Sequence, residues 1–449
     1  MENYFHSVTL NDSKCMGCTN CIKSCPTQAI RVRNGKAIII NEKCIDCGEC
    51  IKICPHHAKN AITDSMDKVM EYPYKVALVA PSFLSQFHDE VSINAILTAI
   101  KNMGFDQVSE VAYSAEILGK VINEELNKKG MKRPLISSAC PAITRLIQVR
   151  FPELIPQLVT LESPMEVEAR LVRKQLVERG LKDKEIGIFF LTPCPAKVTS
   201  IKKPIAPKGK KSALNGALAI NKIYMEVLSN IKSLKKVENL QRASNIGISW
   251  ARTGGESSFL NNSNYINVDG IQSVTRVLEE IERNKLKDIA FFEGLACRGG
   301  CVGGALTIEN TFIAKQRINR RAENSKYEND FDPREIKKLY FSGILHHEGP
   351  ILPRPMPPLD EKIAVAIQKA EEIEKITRRL PGLDCGACGS PGCAALAEDI
   401  VKGNALEVDC IFLLREEIQK LSKEMFALSD KVPPVMQNKE KVKEEKNEG

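Results

Sequence analysis

From about residue 74 to 345, short apolar runs alternate with amphipathic stretches. That alternation predicts strands and helices feeding a parallel α/β sheet. The runs read as strands are YKVALVAP (74–81), PLISSAC (134–140), EIGIFFLTPC (185–194), NIGISWA (245–251) and DIAFFEGLAC (288–297). Helical patterns lie between them, such as 164–180, with Pro164 near its start and Gly180 at its stop. Upstream, AIRVRNGKAIII (29–40) reads as a hairpin turning at Asn34-Gly35. Downstream, the Pro-rich stretch 343–360 reads as an extended spacer, followed by a helix over 361–379. Leu414, Ile418, Leu421, Met425 and Leu428 then recur at spacings of 4-3-4-3, the form of a coiled-coil seam. Two heptads do not separate a seam from an ordinary amphipathic helix, and packing on a core is the expectation. The charged, aromatic-free stretch 431–449 is expected to be disordered.

Three of the apolar runs end in cysteine, at Cys140, Cys194 and Cys297, with Cys301 close behind. In open parallel sheets ligands bind beyond the carboxyl ends of the strands, so these four thiols are expected to converge. The other twelve of the sixteen cysteines also fall into complete sets. Cys15, Cys18, Cys21 and Cys25 form C-x2-C-x2-C-x3-C-P, and Cys44, Cys47, Cys50 and Cys54 repeat it 29 residues later. Cys385, Cys388, Cys393 and Cys410 form C-x2-C-x4-C-x16-C. Triple spacing followed by proline suits 4Fe-4S clusters better than a zinc ribbon. Four sets of four thiolates point to an electron-handling protein.

The formal net charge of +8 invites a nucleic-acid reading, but thiolate-ligated cubanes each carry roughly two negative charges. Four of them would offset the excess, and aromatic content of 5% offers little for base stacking. No nucleic acid is expected. Residues 1–10 lack both a basic start and an apolar run, and no segment approaches a membrane span. A cytoplasmic location is expected, since sixteen cysteines suit metal ligation in a reducing compartment.

The N-terminal repeat resembles bacterial two-cluster ferredoxins. That resemblance implies that Cys15, Cys18 and Cys21 share a cluster with Cys54, and Cys44, Cys47 and Cys50 with Cys25. SSACPAI (137–143), TPCPAK (192–197) and EGLACRGGCVGGA (293–305) resemble the signatures of the iron-only (FeFe) hydrogenase catalytic subunit. SPMEV (163–167) and ARTGGES (251–257) lie where that family has similar segments. The resemblance covers roughly 10–320. It implies a six-iron H-cluster: a cubane on Cys140, Cys194, Cys297 and Cys301, with Cys301 bridging to a two-iron unit. Lys197 matches the lysine that holds a cyanide ligand of that unit. Ala139, Ser163 and Lys197 are thereby candidate catalytic positions. Pro141, Pro193, Gly300 and Gly303 are candidate cofactor contacts. CGACGSPGC (385–393) with Cys410 resembles a cluster domain of electron-transport and corrinoid proteins. The expected organisation is α/β. An α+β bacterial ferredoxin domain (1–62) precedes a parallel-sheet FeFe-hydrogenase-like core (74–345). A linker (346–360), a small helical 4Fe-4S domain (361–430) and the tail (431–449) follow.

Departures from the family carry further information. The family's proton-relaying cysteine is Ala139 here, and a methyl group relays no proton. Thr192 and Leu295 replace two methionines, and Ser200 replaces a glutamate. The glutamates of the usual proton path find Val121 and Ile122, with Glu124 and Glu125 expected on an exposed face. His346 and His347 are expected in an exposed loop. The pattern resembles the sensory branch of the family, which implies low-turnover hydrogen sensing and a redox or signalling partner docking near the terminal cluster domains. Two alternatives stay open. One is an ordinary ferredoxin-linked hydrogenase with another proton route. The other is a non-enzymatic cluster carrier or assembly protein lacking the two-iron unit.

Overall fold

A computed structural model describes residues 5–431 and 433–435, apart from 129, 207–210, 262, 355 and 357. The tail expected from 431 onward falls mostly outside them. The chain divides into two compact units: residues 1–29 with 35–356, and residues 30–34 with 357–449.

In the first unit the predicted alternation produces two parallel sheets. One has the order Gln107–Glu110, Tyr74–Val79, Ile186–Thr192, Gly216–Ala219. The other has the order Tyr265–Asp269, Phe291–Leu295, Leu135–Ile136. Strand Ile186–Thr192 is buried at every residue, as a strand covered on both faces must be. Its period of two divides it between two cores. Phe189 and Leu191 join Ala77 and Val79 under helices Ile93–Lys101 and Ile220–Ser233. Ile188 and Phe190 join Val76 and Leu78 under helix Pro164–Glu178. That helix starts on Pro164 as expected, and Gly180 stands just past its end at φ +96°.

One strand expectation is corrected, and some strands were not anticipated. NIGISWA forms a helix over Asn245–Ser249 rather than a strand. Glu116 accepts a hydrogen bond from Ser244 N at 2.7 Å, and a Cβ on Gly247 would meet Ala112 O at 2.5 Å. Close packing on helix Val111–Asn127 thus decides a segment too short to show its own period. Three strands of these two sheets escaped the hydrophobic reading: Gln107–Glu110, Gly216–Ala219 and Tyr265–Asp269. Each lies at a sheet edge. Gln107–Glu110 carries one apolar residue, whereas Gly216–Ala219 is buried throughout and too short to show a period.

The N-terminal repeat is visible in backbone angles. Gly17 and Asp46, Thr19 and Gly48, and Gln28 and His57 are matching pairs 29 residues apart, and all have positive φ. Left-handed backbone is uncommon for Thr, Gln, Asp and His, so the loop shape is imposed in both copies. Asn34 (φ 51°) and Gly35 (φ 72°) make the expected turn.

Residues 343–354 are not a free spacer. Glu162 N donates to Leu345 O (2.8 Å), His347 N to Thr160 O (3.0 Å), and Arg354 N to Gln148 O (3.0 Å). Arg170 donates to the carbonyls of Ile344 (3.1 Å) and His346 (2.8 Å). These bonds tie the segment along its length to the core.

The second unit packs helices Ile363–Arg379 and Cys393–Val401 around Ile376, Leu380, Leu396, Ala397 and Cys410. Strand Ile30–Arg33 belongs to it: Val32 N donates to Gly389 O at 2.7 Å. Asp399 accepts from Arg31 (2.5 Å), Arg33 (2.8 Å) and Ser390 (2.8 Å). Arg31 and Asp399 are buried, so removing the carboxylate takes away a counter-charge that two cations share. Asp399→Ala is expected to destabilise this unit by about 3 kcal/mol. The transition of residues 357–435, followed by denaturant titration of the full chain, should move to lower denaturant. An unchanged midpoint would show the pair to be dispensable.

Candidate metal centres

The four central thiols come from strand ends of both sheets. Cys140 and Cys194 occupy N-cap positions of helices Pro141–Arg150 and Pro195–Lys202, each with proline in the first turn. Cys297 follows strand Phe291–Leu295, and Cys301 opens a 3-10 turn. Burial pushes the thiols of Cys194, Cys297 and Cys301 up, Cys297 to about 12, and their mutual proximity adds to the effect. Lys197 opposes the rise at Cys194 and Cys301, and Lys52 opposes it at Cys297. Four converging thiols that ionise only at such cost suit a metal centre, which binds thiolates and compensates their charge. One tetrahedral zinc would hold its sulfurs about 3.8 Å apart. Among the described residues, only His6, Cys44 and Asp46 bring three such ligand atoms within 4.8 Å of one another. The central four are therefore spread too widely for a single ion and leave room for a cluster.

Cys301 lines a cavity of about 40 Å³ together with Ala139, Pro193, Lys197, Glu256, Glu293 and Leu295 among others. Burial opposes the charge on Lys197, but Cys301, Cys194, Cys140 and Cys297 together hold its ammonium above the ordinary range. Glu256 and Glu293 form a pair of buried carboxyls that the sequence reading did not anticipate. Burial, then the Glu293 charge, push Glu256 up to about 8. Ser137 Oγ makes a short hydrogen bond to Glu256 Oε2 and accepts from Ala139 N at 3.2 Å. Glu293 accepts from Gly254 N (3.0 Å) and Ser257 N (2.8 Å). The available signal was a carboxylate inside the apolar run 288–297 together with Glu256 just after Gly254-Gly255.

The other candidate residues fall elsewhere. Ser163 and Pro141 line a different cavity, with Ser138, Ser200, Glu162 and Arg170. Thr192 Oγ1 is tied to Cys194, accepting from its N–H and donating to its carbonyl, both at 3.1 Å. A Cβ on Gly300 (φ +92°) would meet Ala251 O at 2.7 Å, and one on Gly303 would meet Arg298 O at 2.3 Å. Protein backbone already crowds both glycines.

The second ferredoxin-like motif packs on the central site. Ser7 Oγ donates to Pro195 O (2.8 Å) and accepts from Thr199 Oγ1 (2.9 Å). Asp46 accepts from Val8 N at 3.0 Å and pairs with His6 at 2.9 Å. Ile45 and Cys47 pack in one apolar cluster with Cys140, Cys194 and Ala196. A Cβ on Gly48 would meet Ala305 Cβ at 2.7 Å. Close by, the Lys59 ammonium is buried and makes no hydrogen bond, while its charge eases ionisation of Cys21 and Cys50. A buried cation among thiols fits negatively charged clusters. Ala29 N and Ala58 N donate to the sulfurs of Cys25 (3.2 Å) and Cys54 (3.3 Å), again 29 residues apart. In the second unit, Cys393 opens helix Cys393–Val401 with its N–H on Asp384 (2.6 Å), and Cys410 is the N-cap of Ile411–Ser429.

The model for the iron-only hydrogenase large subunit, C-terminal domain, matches residues 74–208 and 212–305, half of the chain. The chain belongs to the iron-only hydrogenase family. A 4Fe-4S dicluster domain matches residues 7–55 and an Fe-S cluster domain matches 380–412, so this is an iron–sulfur member with 4Fe-4S domains. The periplasmic Fe hydrogenase large subunit of Nitratidesulfovibrio vulgaris is 27% identical over 274 residues, covering 57% of this chain and 64% of its own length. Iron hydrogenase 1 of Clostridium pasteurianum is 23% identical over 368 residues, covering 66% and 64%. The chain thus spans less than two-thirds of either relative, at 64%. A structure of the FeFe-hydrogenase HydA1 from Chlamydomonas reinhardtii matches with a TM-score of 0.50 at 15% identity, covering 65% of this chain and 97% of that one. At that identity the likeness shows the fold. Among the described residues, no helix is long and apolar enough to cross a membrane.

Two expectations about this hydrogenase-family chain are corrected. Glu124 is exposed, but Glu125 is buried and accepts from Lys128 (2.7 Å), Tyr340 (2.8 Å) and Thr160 (3.1 Å). His346 and His347 are not loose either: His346 faces Glu125 at 3.5 Å, and His347 pairs with Glu162 at 2.8 Å. Burial opposes the charge of Glu125, but His346, Lys128 and Tyr340 hold its carboxyl down to about 2. The unfolded carboxyl titrates near 4.3. The stability Glu125 contributes is therefore fully present above that value and is lost as pH falls through about 2. Glu125→Gln is expected to remove on the order of 3 kcal/mol at neutral pH and to flatten the acid limb of stability in denaturant titrations between about pH 5 and 2. An unchanged acid limb would overturn the assignment.

Proposed function

We propose that this chain is an FeFe-hydrogenase-type oxidoreductase of low turnover. In this reading it binds dihydrogen at an H-cluster and relays its redox state through 4Fe-4S clusters to a redox or signalling partner. The observation that carries the reading is one cavity joining Cys301 and Lys197 to Ala139. Cys140, Cys194, Cys297 and Cys301 would hold the cubane of the H-cluster, with Cys301 shared with a two-iron unit in that cavity. When bound, that unit supplies the metal at which dihydrogen is taken up and exchanged with protons and electrons. Lys197 presents a point charge to an anionic ligand in a dry pocket. Pro193 and Leu295 shape the wall and limit water. The methyl of Ala139 holds no proton, so the direct general-acid arm is absent, a loss of typically 10²–10⁴-fold in rate. The second ferredoxin-like motif, packed against the central cysteines, offers the first electron step away from them. The C-terminal cluster domain is the place for a partner.

A second reading, turnover by another proton route, is favoured by Glu256. Its carboxyl holds a proton at neutral pH because it is buried beside Glu293. Ser137 Oγ links Glu256 to the backbone at Ala139. The two readings differ in what limits hydrogen exchange. Under the first, Ala139→Cys raises turnover at least about tenfold and Glu256→Gln changes it little. Under the second, Ala139→Cys leaves turnover unchanged and Glu256→Gln lowers it about a hundredfold or more. Both require infrared bands of iron-bound carbonyl and cyanide after maturation, with about eighteen iron atoms per chain rather than about sixteen. Absence of those bands would overturn both and leave a cluster-bearing electron carrier.

A further inference from the structure

Helix Ile411–Ser429 was expected to bury its apolar stripe, and it does not: none of its residues is buried. Ile411, Leu414, Ile418, Leu421, Met425 and Leu428 are each 41–72% exposed. They continue one pattern at spacings of 3-4-3-4-3 along a helix of about 28 Å. The contact with the helix's own unit runs through Leu413, which packs against the core around Cys410 and Leu396. In heptad terms Leu413 is a c position, outside the a/d seam. The helix is therefore anchored by its outer face, and among the described residues its seam has no partner.

We propose that this seam pairs with the same helix of a second copy of the chain, as a short parallel two-stranded coiled coil. The residue choice argues for that occupant. The a layer is Ile411, Ile418, Met425, and the d layer is Leu414, Leu421, Leu428. Branched Ile at a with Leu at d favours two parallel strands. The flanking charges agree. Position g carries Glu417 and Glu424, and position e carries Arg415, Ser422 and Ser429. In a parallel pair each g glutamate faces a serine of the following heptad, Ser422 or Ser429 of the second copy, with no like charges opposed. In an antiparallel pair the glutamates would face one another. Anchoring at Leu413 and the N-cap at Cys410 prepay part of the helix nucleation that an isolated peptide of this length could not meet. The pairing is independent of what the central site does.

Sedimentation equilibrium of the full cluster-loaded chain tests it under anaerobic conditions. A monomer–dimer equilibrium is expected in the micromolar range, and Ile418→Glu with Leu421→Glu should be monomeric throughout with unchanged iron content and visible absorbance. A wild-type chain that stays monomeric at about 100 μM would overturn the proposal, as would a double variant that still dimerises. Ser422→Lys adds a partner for Glu417 and should tighten a parallel dimer roughly fivefold, while Ser422→Glu should weaken it by a similar factor. The reverse order, or no change, would overturn the parallel arrangement.

Discussion

Negative charge on sulfur inside a dry interior is the constraint on which this structure turns. Burial is the largest influence on the thiols of Cys44, Cys47, Cys194, Cys297 and Cys301, and in every case it resists ionisation. The fold answers with cations and oriented backbone. Lys59 is buried near Cys21 and Cys50, Lys52 reaches toward Cys297, and Lys197 faces Cys194 and Cys301. Cys140, Cys194 and Cys410 stand at helix starts, where the peptide dipoles favour an anion. Backbone N–H groups of Ala29, Ala37 and Ala58 point at sulfur.

The same constraint explains why the second ferredoxin-like motif is built into the core of its unit rather than tethered to it. Ile45 and Cys47 share an apolar cluster with Cys140 and Cys194, and Ser7 bridges Pro195 and Thr199. Hydrogen bonds from Ser7 at the start of helix Pro195–Lys202 fix the N-terminal segment to that core. Buried carboxyls are arranged differently. Glu256 and Glu293 are buried next to one another beside the cavity, and burial raises both. Glu125, surrounded by Lys128, Tyr340 and His346, is held ionised.

Much of this was readable from local spacing. The 29-residue cysteine repeat reappears as matched left-handed residues, because four ligands on so short a loop leave the backbone little choice. The helix from Pro164 and the turn at Asn34-Gly35 follow from the φ restrictions of proline and the left-handed tolerance of asparagine and glycine. The reading failed where the deciding contact came from far along the chain. Residues 245–249 are helical because Glu116 and the backbone at Ala112 meet them. The Pro-rich segment after 343 is held down by Arg170, Thr160 and Gln148. Edge strands such as Gln107–Glu110 carry too few apolar residues to announce themselves.

The amino-acid sequence by itself determined which thiols form sets and where the main helices begin. Those properties depend on residue type and short separations. Only the tertiary structure decided that strand ends from two sheets meet at one site. It alone brought Glu256 and Glu293, 37 residues apart, into one pocket with Lys197, and left the Ile411–Ser429 seam uncovered. Sheet order and helix packing bring such distant residues together, and no local pattern of apolar and polar positions encodes them.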